Sequence, residues 1–285
     1  MTFAWYKGDP PSDSSLRRGS AVAVRIDPPR RAQLKAVIPL FILIANVIPA
    51  PPTLTSQGGS SVTTSADMKV DWQAQWDMEE IRVDGTRAVR FKETGSGRTS
   101  AYPQDVRWSV QSTWLAGDAF RPLETEKRIT AADGQTLLVE RKVFDHKKGT
   151  VRLERTRSGH RPETESLDVP ADILAIEGLA GILRFANVPK SRALSAHVLT
   201  NKPEVFKVTF EWRDEENVKT PAGEFHCYKV EMVPQLGVLN LLRPFIQKTY
   251  FWFTVATPHK WVRYQGSEDG PGTPGVVMVL SHEDR

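Results

Sequence analysis

The sequence predicts an all-β protein: one open, strongly curved antiparallel sheet, a half-barrel wrapped around a single apolar helix at 171–186. Three observations predict it. The stretch Glu204–Met232 holds two extended patterns joined at Thr220-Pro221-Ala222-Gly223. About ten segments read as strands, mostly linked by short turns, which favours one antiparallel sheet. Eight Trp and twelve Phe, in a chain with few long helical patterns, favour a β-rich body.

Glu204–Met232 is the clearest hairpin. Phe206, Val208, Phe210 and Trp212 point one way and Lys207, Thr209 and Glu211 the other, the period of two of a strand with one buried face. Pro221 and Gly223 mark a type I turn. Upstream, Met68–Ile81 and Ala88–Thr94 are weaker strand patterns separated by Asp84-Gly85, and Gly95-Ser96-Gly97 reads as a turn. Val106–Ala116 and Phe120–Ile129 follow, ending at the strong turn signal Asp133-Gly134. Thr136–Phe144 and Thr150–Thr156 flank His146–Gly149 as a further hairpin, with Asp145 supplying turn chemistry. Lys248–Ala256, Trp261–Gln265 and Val276–Ser281 complete the sheet.

The predicted helix, Ala171–Ala186, starts after Asp168 and Pro170 and stops at Asn187 and Pro189. It is apolar almost all round, so it needs burial on more than one side. Gly178 and Gly181 weaken it by about 1 kcal/mol each and allow close backbone approach. Asp172 and Glu177 fall on this helix, Asp172 at the end where it favours the dipole.

The N-terminus sets the expected location. Residues 1–35 carry seven Lys and Arg against three Asp, so that segment holds the whole formal net charge of +4. The remaining body is formally neutral, which removes the basic footprint a nucleic-acid binder needs. Residues 1–35 read as a disordered basic extension. Ala36–Ala50 is an uncharged apolar run behind Arg30, Arg31 and Lys35, shorter than the roughly 20 residues of a membrane-crossing helix. It reads as an export signal, either cleaved or retained as an anchor. Residues 51–67 read as a Ser/Thr/Pro-rich linker, and 68–285 as the β domain.

No catalytic or metal constellation emerges. The six His are scattered without ligand spacing, and neither a nucleophile elbow nor a phosphate loop occurs. Cys227 is the sole cysteine; it alternates with Phe225 as a small buried hydrophobe, with His226 on the opposite face. No catalytic residue, cofactor or metal is expected. Pro234–Ile246 is unusually apolar for a connection between strands. It is either a cover folded over the core or a lid or flap that touches a ligand or a membrane.

The order VFDHKKGTVRLE, LDVPADILAIEGLAGILRFAN, VKTPAGEFHCYKVEM and TYFWFTVATPHKWVRYQG resembles the bacterial envelope family known as domain of unknown function 3108, over about Asp71–Leu280. The resemblance implies export and a curved antiparallel sheet broadly similar to the lipoprotein-localisation carriers, whose half-open barrels hold acyl chains. It implies no catalytic residues. The long extension before Arg30 departs from it.

The expected function is therefore non-enzymatic binding of an apolar or amphipathic, lipid-like ligand in the concave face of a periplasmic or envelope protein. The candidate lining is Trp108, Trp114, Leu183, Phe206, Phe210, Trp212, Leu241, Leu242, Phe251 and Phe253. The alternative is a structural or interaction protein that meets an envelope partner through a sheet edge or 234–246. Membrane contact would run through 36–50 or 234–246.

Overall fold

A computed structural model of the chain describes residues 48–54, 56–67, 69–186, 193–235, 247–270 and 272–283. All of them belong to the unit Ile44–Arg285. The extension 1–35, most of the apolar run 36–50, and Leu241 and Leu242 of the apolar connection lie outside the described residues.

The described chain is nearly all strand. The first eight strands are β1 (Gln57–Ser65), β2 (Asp71–Val83), β3 (Thr86–Arg98), β4 (Val106–Ala116), β5 (Phe120–Ala131), β6 (Thr136–Asp145), β7 (Thr150–Arg157) and β8 (Glu163–Asp168). The short strand β9 (Ile173–Ala175) and a single helix, α1 (Leu179–Leu183), follow. The rest are β10 (Ala193–Leu199), β11 (Val205–Thr220), β12 (Gly223–Pro234), β13 (Thr249–Thr254), β14 (Trp261–Ser267) and β15 (Gly275–Glu283). They form one 15-stranded sheet in the order β8-β7-β6-β5-β4-β3-β2-β1-β15-β14-β13-β12-β11-β10-β9. β1–β8 and β10–β15 are each a meander, and antiparallel pairing of β1 with β15 welds the halves together.

This order dictates the curvature. β8 and β9 are the two edges of the sheet, yet only Val169–Asp172 separate them in sequence. Laid flat, fifteen strands span roughly 65 Å at the usual strand spacing. The link from Asp168 to Ile173 reaches at most about 18 Å. The sheet must therefore curl until its edges approach. It stays open because β9 pairs with β10, in the one parallel register, and not with β8. β9 instead packs against β5 from inside the curl.

One large apolar cluster packs the concave side, drawing Trp114, Phe144, Phe210, Tyr228, Phe251 and Phe253 from the sheet and Leu179, Ile182 and Leu183 from α1. The β11–β12 hairpin forms as predicted around Pro221-Ala222, with Thr220 Oγ1 accepting from the Ala222 N–H at 3.2 Å. Asp145 takes the N–H groups of Lys147 and Lys148 at 3.1 and 3.0 Å, the expected turn chemistry. A smaller cluster of Val218, Cys227, Trp252 and Val262 contains the cysteine, whose thiol burial pushes up to about 12.

Four expectations are corrected. The helix 171–186 is replaced by β9, a loop and the five-residue α1. Gly178 adopts φ +76°, the left-handed region that stops a right-handed helix, and Ile173–Ala175 find partners on β10. The linker 51–67 is largely strand: Gln57–Ser65 pairs on both sides, with β2 and β15. Its glycine is needed there, because a Cβ on Gly59 would lie 2.7 Å from the His282 carbonyl oxygen. The end of the apolar run 36–50 is also part of the domain, since Ile48 is buried and its carbonyl accepts from the Phe120 N–H at 2.9 Å. Gly95-Ser96-Gly97 is not a turn but lies inside β3.

Candidate functional site

The concave side is not completely filled. A cavity of about 310 Å3 lies between α1 and both halves of the sheet. That is about ten waters' worth of liquid volume and the lower end of the usual range for ligand pockets. Trp72, Phe91, Trp108, Val110 and Ile129 form its wall on one half, and Phe251, Trp261, Tyr264 and Met278 on the other. Gly178 to Gly181 form its floor at α1.

Strand alternation explains who faces inward. On β3 the inner row is Val89, Phe91, Glu93 and Gly95, and on β4 it is Val106, Trp108, Val110 and Trp114. Trp108 stands directly across from Gly95 in the β3–β4 register, and Trp72 across from Gly97 in the β2–β3 register. Gly95 is a seat for an indole, whereas Gly97 makes room for the β2 backbone at Asp71 and Trp72. A Cβ on Gly95 would lie 2.1 Å from the Trp108 ring, and one on Gly97, at φ +137°, 2.6 Å from Trp72. The two indoles meet edge to face at 5.2 Å, a favourable arrangement for their quadrupoles. Gly178 permits a similar approach at the floor, where a Cβ would come within 3.2 Å of Trp114 Nε1.

A carboxyl sits in this aromatic wall. Glu93 Oε1 accepts from Trp108 Nε1 at 3.0 Å. Burial pushes its pKa above the ordinary 4.5, opposed by that hydrogen bond and by the Lys127 ammonium. Glu93, Val110 and Lys127 occupy one cross-strand row, so their backbones are two strand spacings, about 10 Å, apart. The folded state thus holds the Glu93 proton more tightly than the unfolded chain does. Its stabilising effect is present below pH 4.5 and is lost as pH rises through the raised value. Glu93→Gln should leave the melting temperature unchanged near pH 4 and raise it at pH 8. A variant less stable than wild type at pH 8 would show that the ionised carboxylate contributes to the fold.

The cavity floor is clasped by buried charges. Lys142 on β6 donates to Glu177 Oε1, to the Thr200 carbonyl at 3.2 Å, and pairs with Glu140 Oε1 at 3.3 Å. Arg155 on β7 donates to Glu140 Oε2 through Nε at 2.7 Å and to the Asn201 carbonyl through Nη2 at 2.9 Å. Lys142, Glu140 and Glu177 are almost fully buried, at 1, 4 and 7 % exposure. Two cations and two carboxylates balance, and they join β6 and β7 to the loop before α1 and to the turn after β10. This clasp spans the gap that the open sheet leaves. Ser112 Oγ donates to the Glu177 carbonyl at 3.0 Å and accepts from Trp114 Nε1 at 2.6 Å, fixing the same loop from β4. At the rim, the Ser100 N–H donates to both carboxylate oxygens of Glu268 at 3.2 and 3.0 Å, and Asn201 Nδ2 donates to Asp269.

Of the candidate lining residues, Trp108 and Phe251 stand in the cavity wall. Trp114, Leu183, Phe210 and Phe253 are buried in the core, and Phe206 and Trp212 pack partly exposed against it. Sequence reasoning missed Glu93, Lys127 and the clasp. Glu177 was read as a helix residue; it is the clasp's central carboxylate. Asp172, read as a dipole partner, instead binds His197 Nδ1 at 2.8 Å. The findable signal for Glu93 was its place on the inner row with Val89 and Phe91. Glu140 and Lys142 also alternate with Phe144, so period two put charges on a core face.

Two solved structures resemble this one at a TM-score of 0.33. One is described as a "putative exported protein with YmcC-like fold" from Bacteroides fragilis NCTC 9343, 13 % identical, with 84 % of this chain and 100 % of that one covered. The other is described as a "putative lipoprotein" from Parabacteroides distasonis ATCC 8503, 10 % identical, with coverages of 84 and 99 %. No curated protein matches the chain. The family model described as Protein of unknown function (DUF3108) matches residues 61–280, from β1 through β15, the span that builds the sheet and its cavity. The chain belongs to that family.

Proposed function

We propose that the protein is a non-enzymatic carrier or receptor of the cell envelope that holds a lipid-like, amphipathic ligand in the concave face. The observation that carries this reading is the aromatic cavity beside α1, walled by both halves of the sheet. Its walls are mainly apolar, with a few polar groups at fixed places, as small-molecule sites usually are. Export is supported by the basic-then-apolar order of Arg30–Ala50. A cut after Ala50 would remove Ile48 from the core, so this reading puts any processing before Ile48. Partner docking by strand addition draws less support, because the β8 edge exposes Glu163 and Glu165, charges that blunt an edge.

The test uses a terminally brominated decyl alcohol, whose bromine quenches indole fluorescence on contact. Trp72, Trp108 and Trp261 face the cavity, so titration into the full chain should quench saturably, and less in Trp108→Phe. Quenching no greater than that of free tryptophan would overturn the reading.

A further inference from the structure

The polar groups left over in the cavity share one sign. Glu177 Oε1 takes the Lys142 ammonium, but Oε2, buried in a side chain that lines the cavity, has no hydrogen-bond partner among the described residues. Glu93 spends only one of its two oxygens on the Trp108 N–H. Glu268 and Asp269 place two more carboxylates at the rim. The one cationic side chain in the lining is Lys127, set about two strands from Glu93. Around these acceptors stand the faces and edges of Trp72, Phe91, Trp108 and Trp261, and ring faces attract cations. The narrower adjoining pocket of about 60 Å3 shares Phe91, Glu93 and Trp261 but also carries Arg184.

We propose that the larger cavity selects an amphiphile with an amine-bearing, cationic head group, held by Glu93 and the surrounding indoles, over one with an anionic head. This rests on the ligand-binding reading above and names its ligand class. An anionic head would join the carboxylates of Glu93, Glu268 and Asp269 in a partly desolvated space, where like charges repel far more than in water. An ammonium would supply a donor to Glu93.

The experiment compares decylamine, decanol and decanoate, three probes with one chain and different heads. Calorimetric titration into the full chain at pH 7, below micelle formation, reads the order of affinity. Decylamine should bind at least about tenfold more tightly than decanoate, with decanol between them. Glu93→Gln should weaken decylamine about tenfold and leave decanol unchanged. Lys127→Met should tighten decylamine, and it removes no partner from the clasp. Decanoate binding as well as decylamine, or Glu93→Gln weakening all three equally, would overturn the proposal while leaving ligand binding intact. Failure of all three probes would overturn the ligand-binding reading itself.

Discussion

Lys142→Met will destabilise the protein by about 3–5 kcal/mol, because it leaves Glu140 and Glu177 buried without their shared cation. Glu140 keeps Arg155, so the uncompensated charge falls mainly on Glu177. The double variant Lys142→Met/Glu177→Leu should therefore recover most of the loss. Urea unfolding of wild type, both single variants and the double variant closes the cycle, and a large favourable coupling between the two positions is expected. A loss below about 1 kcal/mol for Lys142→Met would mean that the pair is solvated and that the clasp does not hold the open sheet together. The stake is architectural as well as local. The clasp ties Thr200, Asn201 and the α1 loop to β6 and β7 across the gap that β9 leaves unpaired.

Gly95→Ala will block the site by displacing the Trp108 indole. The new Cβ would lie 2.1 and 2.4 Å from Trp108 ring atoms and 2.8 Å from the Gln73 carbonyl, so the indole must leave its seat. Its hydrogen bond to Glu93 and its edge contact with Trp72 go with it. Overpacking of this kind costs about 1–3 kcal/mol. Affinity for a neutral decyl probe should fall at least about tenfold, since a displaced ring fills the cavity. The double variant Gly95→Ala/Trp108→Ala removes the ring contact but keeps that with the Gln73 carbonyl, and it should not regain affinity. Unchanged binding in a folded Gly95→Ala would put the ligand elsewhere.

Much of the sheet was legible because its strands obey a period of two. Val106–Ala116 reads directly from Trp108, Val110 and Trp114, and Phe206–Trp212 from its alternating aromatics. Two of the strands that escaped notice, β8 and β1, lack that contrast. β8 is Glu-Thr-Glu-Ser-Leu-Asp, exposed along nearly its whole length, and an edge strand needs no apolar face. β1 is Gly-, Ser- and Thr-rich, yet it buries Ser61, Thr63 and Ser65 between β2 and β15. The false helix has a similar origin. Ala171–Ala186 is apolar enough to satisfy any buried periodicity, so composition alone does not separate a strand, a left-handed glycine and a short helix.

The site was less legible than the fold because it depends on pairs far apart in sequence. Choosing inward aromatics found Trp108 and Phe251, but most such residues fill the core. Glu177 meets Lys142 across 35 residues, and Ser100 meets Glu268 across 168. Only the curl of the sheet, forced by the short β8–β9 link, brings these together. What the sequence does contain is the spacing Gly95-x-Gly97 inside an extended run. A glycine inside a strand marks the close approach of a neighbour, here the Trp108 ring at Gly95 and the β2 backbone at Gly97.

The most direct test of the carrier reading is native mass spectrometry of the full chain, purified from the cell envelope without detergent, beside Gly95→Ala treated identically. The account predicts a lipid-sized mass on the wild-type protein that is lost or much reduced in the variant. A bare wild-type mass, under conditions that keep lipid on a known carrier, would contradict it.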